Sequence, residues 1–188
     1  MRKVFISAGH TRKGQDAGAV AHGYKEGDLT AALRDKIVAE LKLLGVNAIV
    51  DDDKNALQQT INTFRAVANP DAIMLDIHFN AGGAVATGTE TFVPLKPSNF
   101  ELELACELSE VIHEVMGIRL RGVNFGYTGV KLESESARKS LGWMRLTGEN
   151  VLMEVCFMSN KSELENYLFN EAKISKRIAY VLAMFANK

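Results

Sequence analysis

Four residues in this 188-residue sequence are of types that could do chemistry together: His10, Glu26, His78 and Glu154. Two imidazoles and one carboxylate, with a coordination position left open, suit Zn²⁺ in a catalytic site. A further carboxylate that binds no metal can act nearby as general base toward water. Taken singly the histidines say little, because a lone imidazole at a strand end is more often a hydrogen-bonded structural group. Glu154 says more. It follows Val151-Leu152-Met153 in an apolar run, where a carboxylate is costly unless paired or functional.

The surrounding pattern supplies elements that could bring these residues together. Val4 to Ala8 reads as a strand ending just before His10, and a loop through Gly14, Gly18 and Gly23 leads to Glu26. Asp28 is then positioned to cap a helix carrying Leu29, Leu33, Ile37, Leu41 and Leu44, which Gly45 stops. A strand over 46–50 precedes a second helix marked by Leu57, Ile61, Phe64 and Val67, halting at Asn69-Pro70. Ile73 to Phe79 is the nearly continuous apolar run of a strand covered on both faces, with His78 near its end.

Thr87 to Val93 is a further strand, and Ser98 with Glu101 forms a capping box for a helix reaching Gly117. The stretch 119–147 is the least regular. Val151 to Phe157 is the last clear strand, and Ser162 with Glu165 predicts a second capping box before a helix faced by Ile174, Ile178, Val181 and Phe185. Strand–helix alternation of this kind predicts an α/β fold, a three-layer α/β/α sandwich around a mainly parallel mixed sheet. Ligands of such sheets sit beyond the carboxyl ends of the strands, so parallel strands would gather His10, Glu26, His78 and Glu154 at one edge.

Composition narrows the partners. With 47% hydrophobic and 24% charged residues the chain is globular, and a net charge of −1 without a Lys/Arg run gives no reason to expect nucleic acid. The longest apolar run, Ile178 to Ala186, is about half a membrane span, so no membrane insertion is expected. Val4-Phe5-Ile6 is too short for a signal-peptide core, which predicts synthesis in the cytoplasm without a recognisable signal peptide. The length predicts a single catalytic domain over 1–188.

The wording around the four residues resembles the zinc-dependent N-acetylmuramoyl-L-alanine amidases of the amidase-3 family. Ile6-Ser7-Ala8-Gly9-His10 and Gln15-Asp16-Ala17-Gly18-Ala19 are similar to that family's Asp-Pro-Gly-His and Asp-Pro-Gly-Ala pattern, and Lys25-Glu26 before a helix to its second segment. Arg65 to Asn69 and Asp76-Ile77-His78-Phe79-Asn80-Ala81 resemble its Arg…Ala-Asn and Ser-Ile-His-Ala-Asn-Ala segments. Gly88 to Phe92 resembles its Gly-Val-Glu-Thr strand, Arg121-Gly122-Val123 its Arg-Gly-Val, and Met153 to Asn160 its Val-Glu-X-Gly-Phe-X-Ser-Asn.

The resemblance implies a phosphorylase/hydrolase-like fold, Zn²⁺ held by His10, Glu26 and His78, and Glu154 as the catalytic carboxylate. The reaction it implies is hydrolysis of the amide between N-acetylmuramic acid and the first L-Ala of the peptidoglycan stem peptide. A phage-type endolysin that reaches the wall after release during lysis is the setting expected for a chain without an export signal. Two alternatives stay open: a zinc carboxypeptidase on stem peptides and a catalytically silent peptidoglycan-binding module. Oligomeric state is not legible.

Departures from the family pattern define further expectations. Ser7-Ala8 replaces Asp-Pro, and Thr11-Arg12-Lys13 follows His10 in place of glycines. Asp51-Asp52-Asp53 reads as a solvated turn. Cys156 stands where the family has Gly; strand alternation would point its thiol the same way as Glu154, and it reads as a small buried apolar side chain. His22, Asn80, Trp143 and Arg145 are secondary candidates near the cleft, whereas Cys106 reads as core and His113 as a surface or capping residue.

Overall fold

A computed structural model describes residues 1–14 and 16–188; Gln15, which opens one of the motif segments above, lies outside the described residues. Six strands make the central sheet: β1 (Val4–Ala8), β4 (Ala48–Val50), β5 (Ile73–Asn80), β6 (Glu90–Val93), β9 (Val130–Leu132) and β10 (Glu149–Phe157). Two small hairpins, β2 (Val20–Ala21) with β3 (Tyr24–Lys25) and β7 (Val123–Asn124) with β8 (Tyr127–Thr128), stand apart from it. The order across the sheet is β4-β1-β5-β10-β6-β9. β4, β1, β5 and β10 are parallel, β6 is antiparallel to β10, and β9 is parallel to β6. The α/β expectation holds, including a mainly parallel sheet.

Side-chain alternation sorts this sheet into two faces of different character. One face presents Val4, Ile6, Ile73, Leu75, Ile77, Val151 and Met153 to the helices α1 (Glu26–Leu43), α3 (Asn99–Met116) and α4 (Lys161–Ala186). The other presents Phe5, Met74, Leu152 and Phe92 to the short helix α2 (Leu57–Arg65) and a 3₁₀ turn at Gly142–Arg145. Toward the carboxyl ends of β1, β5 and β10 this second face turns polar, with Ser7, Asp76, His78 and Glu154 continuing the same alternation. Among the described residues, no helix is long and apolar enough to cross a membrane.

Several local expectations change for physical reasons. Helix α1 begins at Glu26, two residues before Asp28, because Lys25 is still extended and the Glu26 N–H donates to the Ala19 carbonyl. Asp28 instead lies in the first turn, where a negative charge favours the helix dipole. Ser98 and Glu101 form the expected capping box, but α4 is capped by Asn160, whose side chain accepts from the Ser162 and Glu163 N–H groups. The strand expected from Thr87 starts at Glu90, since Gly88 turns the chain at φ 110°. Strand β9 lies inside the stretch that reads as irregular from sequence.

The acidic run does not form a solvated turn. Arg34, buried on α1, donates to Asp51 at 2.8 Å and to Asp53 at 2.7 Å, and Asp51 also accepts the Ala8 N–H at 3.0 Å. This cluster ties α1 and the segment after β4 to the end of β1, directly ahead of His10.

The register between β10 and β5 shifts between Glu154 and Phe157, a bulge that breaks the alternation. Val155 and Cys156 therefore both lie in the core under the helices, and the Cys156 thiol is turned away from Glu154. Cys106 is half-buried and packs against the same core. Replacing Arg34 by Met is expected to strand the Asp51 charge and cost about 3–5 kcal/mol, read as a lowered urea midpoint.

Candidate active site

The end of β1 delivers Gly9 and then His10, whose backbone adopts φ 67° and swings the imidazole over the sheet edge. Space there is tight. A Cβ on Gly9 would lie 2.4 Å from the His78 ring, and one on Gly18 would lie 2.6 Å from the His10 ring and 2.7 Å from Glu26 Oε2. Glycine at both positions is what lets the two rings and the carboxylate converge.

Glu26, the first residue of α1, sits between the rings. Its Oε1 lies 3.1 Å from His78 Nδ1 and accepts the Phe79 N–H at 3.1 Å. Its Oε2 lies 3.3 Å from His10 Nε2 and accepts the Ala19 N–H at 3.0 Å. One donor atom from each of His10, Glu26 and His78 lies within 4.8 Å of the others, so these three residues could hold a metal ion.

Each imidazole is held from its far side. His10 Nδ1 meets Asp16 Oδ1 at 2.8 Å, and His78 Nε2 meets Asp76 Oδ2 at 3.2 Å. A carboxylate behind a metal-facing imidazole fixes its tautomer and raises its basicity. Asp76 is buried, and its Oδ1 has no hydrogen-bond partner among the described residues.

Glu154 stands on β10 in register with His78 on β5 and with Glu90 on β6. Its Oε2 is shielded from solvent and has no hydrogen-bond partner among the described residues.

Electrostatics follow from this packing. Burial works against charge on both imidazoles, yet the carboxylates win: Glu26 raises His10, and Asp76 with Glu26 holds His78 well above its ordinary value. Burial would raise the Glu26 carboxyl, but its bonds to His10 and His78 keep it well below the usual range. Glu154 goes the other way. Burial pushes it up to about 7, with the His78 charge opposing and Glu26, Glu90 and Asp76 assisting. The site is thus an anionic cradle that attracts positive charge, beside one carboxyl poised to hold or release a proton near neutral pH.

These groups line a cavity of about 660 Å³. Leu57 and Thr60 of α2 and the segment 135–142 form one wall, and Glu90, Arg121, Lys131 and Phe157 extend it past Glu154. All four residues singled out from sequence thus face one cavity.

The secondary candidates divide. Asn80 lines the cavity and donates to Glu90 at 3.0 Å. Trp143 is buried core beneath the cavity, its Nε1–H donating to the Met74 carbonyl at 3.2 Å. Arg145 pairs with Glu133 at 2.8 Å, His22 reaches the Ser159 carbonyl at 3.0 Å, and His113 Nδ1 lies 2.7 Å from the Ile118 carbonyl just past α3. Sequence reasoning assigned no chemistry to Asp76, Glu90 or Lys131. The available signal was a charged residue within a strand, the same signal that marked Glu154.

The family profile described as N-acetylmuramoyl-L-alanine amidase matches residues 4–184. The chain belongs to this family. This amidase is 30% identical over 169 residues to the Bacillus subtilis protein YqiI, covering 87% of this chain and 74% of that one. Its fold is similar to the catalytic domain of the amidase CwlV from Paenibacillus polymyxa, with a TM-score of 0.69 at 26% identity over 98% and 96% of the two chains. The catalytic domain of the CD27L endolysin, whose target is Clostridium difficile, has a TM-score of 0.73 at 18% identity over 97% of each chain. The chain is therefore a peptidoglycan amidase by family, a hydrolase of the cell wall.

Replacing Asp76 by Asn keeps the shape of the side chain but removes the charge behind His78. The expected result is roughly a 10–100-fold loss of metal affinity, measured by competition with a chromogenic chelator, with circular dichroism unchanged.

Proposed function

We propose that this amidase is zinc-dependent, with His10, Glu26 and His78 as the metal ligands and Glu154 as the catalytic carboxylate. The observation that carries this reading is the buried, unpartnered Glu154 Oε2 beside a three-residue donor set that offers two imidazoles and one carboxylate. The donor set fits Zn²⁺, whose borderline softness suits imidazole and whose catalytic sites keep three protein ligands. When bound, the ion supplies Lewis acidity toward the amide carbonyl and toward water.

The chain's own residues account for the proton movements. Glu154 takes a proton from water as the water oxygen attacks the carbonyl carbon of the lactyl amide. The same carboxyl then returns that proton to the L-Ala nitrogen as the C–N bond breaks, leaving a muramyl carboxylic acid and a free peptide amine. A carboxyl raised to about 7 serves both halves of this exchange. Asp16 and Asp76 orient His10 and His78 throughout. Residues 1–188 act as one catalytic domain, and the setting is lysis, in the manner of an endolysin; the CD27L fold likeness supports that setting.

Purified protein incubated with peptidoglycan is expected to release intact stem peptides beginning at L-Ala, identified by mass spectrometry, and a zinc chelator should abolish the release. Shortened stem peptides with the muramyl amide intact would favour a carboxypeptidase. Binding to the wall without any cleavage by metal-loaded protein would favour a silent module. Glu154→Gln should lower the rate by about 10²–10⁴-fold while leaving the zinc stoichiometry at one. Secretion of the native protein before lysis would contradict the endolysin setting.

A further inference from the structure

Past Glu154 the cavity wall changes sign. Glu90, buried on β6, is bonded by two cations at once: Arg121 Nε at 2.8 Å and Lys131 Nζ at 2.6 Å, both on Oε2. Its other oxygen accepts from Asn80 Nδ2 at 3.0 Å. One carboxylate thus meets two basic side chains, in a wall where Lys131 and Arg121 are only 17% and 24% exposed.

A partly desolvated surplus ammonium is unfavourable unless an anion meets it. Among the described residues Glu90 is the ion-pair partner of both cations. Phe157 covers one face of the Arg121 guanidinium at 4.8 Å from the ring centre, and the Thr87 carbonyl accepts from Nη1 at 3.2 Å. These contacts lock the guanidinium in place. Lys131 lines the same cavity, with its Nζ bonded to Glu90 and 5.9 Å from the centre of the Phe92 ring.

The spacing matches a substrate. Glu90 stands directly opposite Glu154 on the neighbouring strand; Lys131, on the strand beyond, is in register with Phe92, two residues along from Glu90, and its side chain reaches back to Glu90 Oε2. Adjacent strands lie about 4.8 Å apart, so Glu90, whose Oε2 both cations meet, stands one strand spacing from Glu154. Two extended residues span about 7 Å. A stem peptide whose L-Ala nitrogen is released at Glu154 would therefore carry the α-carboxylate of its second residue toward Arg121 and Lys131.

We propose that Arg121 and Lys131 form an anion subsite that reads the free α-carboxylate of the second stem residue, a γ-linked D-glutamate. The inference rests on the amidase reading of the site and adds a specificity to it. Stems in which that carboxylate is amidated lose the charge-assisted bond and leave the surplus cation unsatisfied.

The test compares two muramyl tripeptides, MurNAc-L-Ala-γ-D-Glu-L-Lys and its α-carboxamide counterpart. The wild-type zinc enzyme should show at least roughly a tenfold higher kcat/KM on the carboxylate. Lys131→Met should bring the ratio of the two close to one, and Lys131→Arg should restore most of it. Equal kcat/KM values for the wild type, or an equal loss on both substrates in Lys131→Met, would overturn the subsite while leaving the amidase reading intact.

Calorimetric binding of the two free tripeptides L-Ala-γ-D-Glu-L-Lys and L-Ala-γ-D-isoGln-L-Lys gives a readout independent of turnover. The carboxylate form should bind more tightly by a similar factor, and equal affinities would overturn the subsite even if neither muramyl tripeptide were cleaved. Failure of cleavage with both substrates is instead a failure of the amidase reading.

Discussion

Everything at the active edge depends on one buried carboxylate, Glu26. It occupies the first position of α1, and its four short contacts reach His10, His78, Ala19 and Phe79. Burying that charge would be prohibitive if any of these partners were missing. The requirement in turn dictates where α1 starts, how the loop after β1 returns, and why glycine occupies positions 9 and 18. The two imidazoles are brought together because each satisfies one oxygen of the same group.

A second constraint is the unequal covering of the sheet. Three long helices seal one face completely, so that face carries only packing. The opposite face is covered by α2 and a 3₁₀ turn, which protect Phe5, Met74 and Leu152 but do not extend over the carboxyl ends of the strands. The space left there is the cavity. Its floor is polar because the strands continue their alternation past the end of the apolar cover, placing Asp76, His78 and Glu154 in its lining.

The cavity is also divided electrostatically. Asp16, Glu26 and Asp76 make one end anionic around the imidazoles, and Arg121 and Lys131 outnumber Glu90 at the other. Glu154 lies between them, in register with His78 on one side and Glu90 on the other. Burial raises its carboxyl, and its Oε2 has no hydrogen-bond partner among the described residues. Membership of the amidase family explains why such a floor exists, and this chain's own charges determine how it is tuned.

The sequence by itself determined the fold class and singled out the candidate residues that the fold brings to one edge. Apolar periodicity is a local property, so β1, β5, β10, the core-facing stripe of α1 and the Ser98–Glu101 cap could be read directly. Residue type and placement singled out His10, Glu26, His78 and Glu154, and the family wording added the roles expected of them. What the tertiary structure decided were the consequences of contacts between distant segments. Asp51 and Asp53 look like a solvated turn until Arg34 arrives from α1, and Cys156 shares the side of Glu154 until the bulge on β10 turns it into the core. Asn160, not Ser162, caps α4, and β9 forms only because β6 offers it an edge. Lys131 gains its meaning the same way, from a carboxylate on another strand. Pair energies between segments far apart in the chain leave no periodic trace in the sequence, and here they set the charge and the shape of the site.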